Sequence, residues 1–285
     1  MKDSLLTDKN KAEIISAIKK GNIRKVILIL EKFKTDHAGT AKTKDKRFVV
    51  KEIVRCIDAD SKSPVKDFFI TGNALCNMEE PAAREIGVSI IYRGYKYSPA
   101  KVKEQLLKIA DDPNWEVREY AGNSFAAVLK ENKDQFGEML NWTKHPSENV
   151  RRAVIFSAIG LRNEADIKKA FKIFESLMYD DSLYVKKNLG PFILGCYFGN
   201  AFPIQVLKQL KRWSKIKDEH VRWNIIMSFN NSFGNKYPDE ALDVISLLLD
   251  DENKTVRRAV RSTLNQLSKR HKIKVTEFRE KYKLT

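Results

Sequence analysis

The stretch WTKHPSENVRRAVIFSAIGLR (142–162) holds a helix end, a turn and a new helix start in direct succession. Its KHPSEN segment is made of residues that turn the chain and cap helices. After it, Val150, Val154 and Ala158 recur at helical spacing, and two arginines follow Val150 at once. The same pattern returns on both sides, centred on Val117, Val185, Val221 and Val256. The five valines are separated by 33, 35, 36 and 35 residues. Each follows a short turn: DDPNWE, KHPSEN, DDSLY, KIKDEH or DDENKT.

The flanking positions keep register. Eleven and eight residues before each valine stand Leu106/Ile109, Met139/Trp142, Phe174/Leu177, Leu210/Trp213 and Ile245/Leu248. Four and eight residues after it stand Ala121/Phe125, Val154/Ala158, Leu189/Ile193, Ile225/Phe229 and Val260/Leu264. Each unit therefore reads as two antiparallel helices whose apolar faces must be covered by neighbouring units. The fold class predicted is all-α, a curved α-solenoid of tandem helix pairs in a single domain over 1–285. Within it, 1–78 would be capping helices and 79–285 the better-matched repeats. The upstream segments 8–35, 44–57, 64–76 and 79–95 are helical in pattern, MKDSLLTDKNKAEIISAIKKG reads as an amphipathic helix, and HAGTAKTKDKRF reads as a mobile loop.

Composition narrows the partners. With 53 Lys plus Arg against 37 Asp plus Glu, the net charge is +16 over 285 residues, which favours phosphate backbones over anionic membranes. The 42% apolar content excludes a disordered chain. No segment reads as a signal peptide or membrane span, and Cys56, Cys76 and Cys196 read as buried, reduced thiols of a cytoplasmic protein. The scattered histidines give no metal-ligand spacing, so no structural metal such as zinc is expected. A Gly-rich phosphate loop and a nucleophile elbow are absent from the sequence.

Basic residues recur in register. Directly after the valines come Arg118, Arg151, Lys186, Arg222 and Arg257; next come Glu119, Arg152, Lys187, Trp223 and Arg258. Cations in a helix's first turn oppose its dipole, so their repetition points outward, to an anion such as a phosphate track along a basic concave face. The alternative is pairing with acids of the adjoining turns, Asp181, Asp218 or Glu252. Glu119 breaks the second column, and Trp115 lies one helical turn before it. A carboxylate beside an indole in basic surroundings suits a cationic group; the alternative is a surface glutamate paired with Arg118 or Arg152. Glu85 follows Arg84 in the same way one repeat earlier.

On NWEVRE (114–119), WTKHPSENVRRAVIFSAIGLR (142–162) and DDSLYVKKNLG (180–190), with weaker echoes in RWNIIMSF (222–229) and TVRRAVRSTLNQLSKRH (255–271), the chain resembles the HEAT-like-repeat alkylpurine DNA glycosylases of bacteria and archaea. The resemblance covers roughly residues 80–270. It implies a HEAT-like solenoid that holds double-stranded DNA on its concave face; separately, a solenoid with capped ends is expected to be a monomer. The implied reaction is hydrolysis of the N-glycosidic bond of N3- or N7-alkylated purines without a cofactor. It implies Glu119 and Trp115 as the catalytic pair and Arg152 as a contact to the backbone near the lesion. The sequence departs from the family at Pro191, where one branch has a second tryptophan; Trp142, Tyr184 and Trp223 are candidates to replace it. Two other readings share the fold: a non-catalytic DNA binder, and a scaffold for an acidic protein partner.

Overall fold

A valine or alanine buried at the start of each second helix sets the register of the structure. The computed structural model describes residues 4–284 and is all-helical apart from one isolated bridge, Lys34 to Ala41. The helices are α1 (Asp8–Lys19), α2 (Ile23–Glu31), α3 (Thr43–Asp60), α4 (Pro64–Cys76), α5 (Pro81–Ile91), α6 (Pro99–Ala110), α7 (Trp115–Glu131), α8 (Phe136–Trp142) and α9 (Glu148–Ser157). They continue with α10 (Ile167–Leu177), α11 (Leu183–Asn188), α12 (Pro203–Trp213), α13 (Glu219–Ser228), α14 (Ser232–Lys236), α15 (Pro238–Ser246), α16 (Lys254–Ser268) and α17 (Lys272–Lys281). The chain forms two compact units. One runs up to Met139 and includes Phe156–Leu161; the other comprises Leu140–Ile155 and the residues from Arg162 onward.

The repeat register is borne out by burial. All five valines and all twenty aligned apolar positions are at most 8% exposed. The turns cap as their composition predicts: the side chains of Asn114, Ser182, Asp218 and Asn253 accept backbone N–H bonds from the next helix's first turn. In the N-terminal unit, α4 and α5 pack so closely that a Cβ on Gly87 would stand 2.6 Å from the Cys76 nitrogen.

The sequence expectations need correction at the N-terminal end and at the thiols. Thr7 caps α1 with a reciprocal bond to Asn10, as an amphipathic helix there requires, although residues 1–3 of that segment lie outside the described residues. The segment read as a mobile loop is mostly structured: α3 begins at Thr43. The remaining loop is closed by the Lys34–Ala41 bridge and by Thr35 N donating to Thr40 O at 2.9 Å. Of the thiols, only Cys76 is buried, and burial pushes it up to about 12; Cys56 and Cys196 are half-buried.

Pro191 has a local consequence. Proline offers no N–H, and its ring crowds the carbonyl four residues back, so α11 stops after Asn188. The chain continues as a wider π-type helix over Leu189–Gly199. Its first turn is held from α13, where Asn224 Oδ1 accepts from Gly190 N at 3.1 Å.

The first basic column sits inside the repeats. Arg84 donates to Met78 O and Glu79 O and forks onto Asp112 at 2.6 and 3.1 Å. Arg151 does the same with His145 O, Pro146 O and Asp180, at 2.6 and 3.1 Å to the carboxylate. Arg222 meets Asp251 at 3.1 Å. Each aspartate also accepts a turn N–H, from Asn114, Ser182 and Asn253 respectively. Replacing Asp180 therefore removes a charge partner and a turn acceptor together. Asp180→Ala is expected to cost about 3 kcal/mol, and Asp180→Asn less, because the amide still accepts from Ser182. Urea unfolding measures both; a loss under about 0.5 kcal/mol for the alanine variant would show the tie to be ornamental.

Candidate functional site

Helix α7 opens with Trp115, Glu116, Glu119 and Tyr120, and its helical period puts these four on one side. That side borders a cavity of about 690 Å³. The predicted pair, Trp115 and Glu119, is thus brought together in one concavity. Trp115 is 43% exposed, which is unusual for an indole with a core available beside it. The other walls come from upstream elements to which the sequence assigns no part in the site. His37 comes from the N-terminal loop, Arg47 and Lys51 from α3, Ser89 from α5, and Arg93 from the short turn after α5.

The loop holding His37 is fixed to the site. Asn114 Nδ2 donates to Ala38 O at 2.7 Å while Asn114 Oδ1 caps α7, so one side chain joins loop and helix. The His37 ring stands edge-on to Trp115, with centroids 5.1 Å apart. Thr40 Oγ1 donates to Glu85 Oε2 at 3.0 Å. Behind the wall lies Lys46, fully buried, its Nζ bonded to Glu85 and to Glu116 Oε1 (2.8 Å) and 5.0 Å from the Tyr120 ring centroid.

One buried cation therefore serves two carboxylates, and the pair's preferences differ. Burial pushes the Glu85 carboxyl up to about 7 despite the attraction of Lys46. For Lys46, burial acts to lower the pKa, but Glu85 and Glu116 outweigh it and the ammonium is held above its usual range. Two carboxylates around one ammonium leave an excess negative charge. Burial thus makes Glu85 take up a proton more readily than an ordinary carboxylate does.

Glu85 and Glu119 occupy equivalent repeat slots, but the structure gives them different surroundings. Glu85 is sealed against Lys46, whereas Glu119 is half-buried at the cavity.

The basic columns divide as well. Five cations predicted to face a phosphate track are engaged within the repeats. Arg118 donates to Asp112 O and Pro113 O, and Arg257 to Asp251 O and Glu252 O. Lys186 Nζ lies 2.9 Å from His220 Nδ1, and Arg151 and Arg222 hold their aspartates. The acid partners lie one position away from those the sequence suggests in two cases: Asp180 rather than Asp181, and Asp251 rather than Glu252. In the second column, Lys187 and Arg258 are exposed. Arg152 is buried, its guanidinium 4.8 Å from the Tyr184 ring centroid and 3.4 Å from Asn188 Oδ1. Trp223 is half-buried, 5.8 Å from Lys186 Nζ. Of the three aromatic residues considered as replacements at Pro191, Trp142 is core, at 8% exposure.

Among the described residues, no helix is long and apolar enough to cross a membrane. Residues 41–196 and 191–285 match a family model described as DNA alkylation repair enzyme. No curated protein matches the chain. Among solved structures, YibA of Escherichia coli shows 16% identity and a TM-score of 0.41, covering 100% of both chains. One engineered protein shows 13% identity and a TM-score of 0.34, with 90% of this chain and 74% of its own covered. A second shows 11% and 0.30, with 93% and 100% covered.

The buried acid makes a pH prediction. Between about 4.5 and 7 the folded chain binds a proton at Glu85 that the unfolded chain has released. Its stability contribution is complete below that window and is lost as pH rises through 7. Unfolding free energy should therefore fall from pH 5 to pH 8 more in the native protein than in Glu85→Gln, by on the order of 2 kcal/mol. Parallel pH profiles for the two proteins would mean that Glu85 stays ionised.

Proposed function

The chain belongs to the DNA alkylation repair enzyme family, and we propose on that basis that it is a DNA glycosylase removing N3- or N7-alkylated purines from double-stranded DNA. The observation that carries this reading is the shared cavity of Trp115 and Glu119, an exposed indole and a carboxylate one helical turn apart. Alkylation leaves the purine ring positively charged. The C1′–N9 bond then breaks with its electron pair moving onto the purine, which leaves neutral. The demand on the protein is to stabilise the cationic sugar and to supply water. Glu119 would do the first through its negative charge, and would accept the proton that water loses as its oxygen bonds to C1′. Trp115 would offer its π face to the cationic sugar or base.

Backbone contacts are assigned to second-column side chains, of which Lys187 and Arg258 are exposed. Arg152, Trp223 and any residual reach of Arg118, Arg151, Lys186, Arg222 and Arg257 would act around them. Such contacts release counterions, so duplex affinity should fall steeply with salt.

A second reading, a non-catalytic binder of duplex DNA, is favoured by one feature. Pro191 stands where a branch of the family has a second tryptophan, and Trp142 is committed to the core. Tyr184, half-buried beneath Arg152, and Trp223 are the remaining candidates.

The deciding measurement is release of free methylpurines from methylated duplex DNA. The native protein should release them, and Glu119→Gln should be slower by roughly 100-fold or more while binding undamaged duplex equally well. Equal release by both proteins rules out the carboxylate assignment. No release by the native protein, with salt-sensitive binding intact, selects the non-catalytic reading.

A further inference from the structure

The cavity at Trp115 has two chemical characters. Its α7 wall carries Glu116 and Glu119, while Arg47, Lys51 and Arg93 line it from other elements. Arg47 and Lys51 are four residues apart on α3 and so share a face. Like charges at that spacing weaken a helix, so the fold alone gives no reason to put them side by side. Neighbouring cations on the same helix are compensated: Lys46 by Glu85 and Glu116, Arg55 by Glu52 at 2.7 Å. Arg47, Lys51 and Arg93 are all exposed and make no ion pair among the described residues. Arg93 is oriented instead by aromatic rings, its guanidinium carbon 5.5 Å from the Phe68 centroid and 5.4 Å from that of Tyr92. Such stacking fixes the plane of an arginine and leaves its N–H edge available.

A nucleotide carrying an alkylated purine has the same two characters, a cationic base and an anionic phosphodiester joined through one sugar. We propose that Arg47, Lys51 and Arg93 form a phosphodiester subsite that holds the damaged strand next to the sugar at Trp115 and Glu119. The inference rests on the duplex-DNA reading above and adds to it an anchor in the N-terminal unit, outside the repeat columns. The subsite grips the strand equally before and during bond breakage, so its loss raises KM and leaves kcat close to native. An electrostatic role in the chemistry itself would move kcat.

The test measures binding to a duplex with one tetrahydrofuran abasic-site analogue. Further duplexes carry a neutral methylphosphonate at the phosphate 5′ of it, 3′ of it, or six nucleotides away. The native protein is compared with Arg47→Ala/Lys51→Ala, with Arg47→Gln/Lys51→Gln and with Arg93→Ala. Lys25→Ala/Lys32→Ala serves as a control in exposed cations that do not line the cavity. The native protein is expected to lose about tenfold in affinity when a flanking phosphate is neutral, and little when the distant one is. Both double variants should lose about tenfold or more on the all-phosphate duplex and nothing further at the neutral flank. Their salt slope should be shallower by about two. Double variants within twofold of native, or flank and variant losses that simply add, overturn the subsite while leaving DNA binding standing. A native protein that ignores duplex DNA removes the duplex-DNA reading, and the subsite with it.

Discussion

An arginine one residue past the buried start of a helix reaches back to two carbonyls of the preceding turn and forward to an aspartate of the next turn. Arg84 with Asp112, and Arg151 with Asp180, share that geometry almost to the ångström. The turn carbonyls are ones that a helix end leaves without partners. The aspartate in turn orders its own loop by accepting an N–H two residues on. One guanidinium thus satisfies the end of one helix, the entry of the next and the adjacent repeat's turn. Where the next turn offers no aspartate, the cation uses what is near: Lys186 turns to His220 where the match is Ile216, and Arg118 donates to the carbonyls of Asp112 and Pro113.

This tie changes what the net charge means. A chain at +16 carries cations in every repeat, but those in the most regular register are engaged by the fold itself. The cations left exposed are less regular. They include Lys187 and Arg258 one position further on, and Arg47 and Lys51 on a helix that the repeat template scarcely describes. In a stacked-pair architecture, strict periodicity marks what neighbouring repeats do for each other. Departures from it are where cations are left on the surface.

The sequence made the repeat legible because burial has a period. A valine at Val150 and its apolar partners can be aligned without knowing what they touch, and every aligned position proved to be core. Capping was legible for the same reason, since Asn114 and Ser182 act within their own turn. The direction of Arg151 was not, because its carboxylate lies 29 positions on and adjoins a second acid, Asp181, that is equally plausible on paper. Nor was the loop at 35–41 legible. Its order comes from Asn114 and Glu85, tens of residues away, and nothing in HAGTAKTKDKRF announces them. Trp115 and Glu119 could be paired from helical spacing alone, while His37, Arg47 and Arg93 had no common register to reveal them.

Glu85 and Glu119 show how little a residue type decides by itself. Both follow an arginine at the same repeat position. At Glu85 the neighbouring elements are α3 and the loop before it. They bring a buried ammonium and a threonine hydroxyl, seal out water, and leave an acid that titrates near neutrality within the wall. At Glu119 the helix faces the space that the same loop and helix enclose. The first carboxylate holds the wall in place and the second borders the cavity behind it. A cavity walled by a fixed indole needs such a foundation, since a side chain in a site acts only as well as its supports hold it. The N-terminal helices, which match the repeat least, therefore supply both the buried support for Trp115 and Glu119 and most of the remaining lining of their cavity.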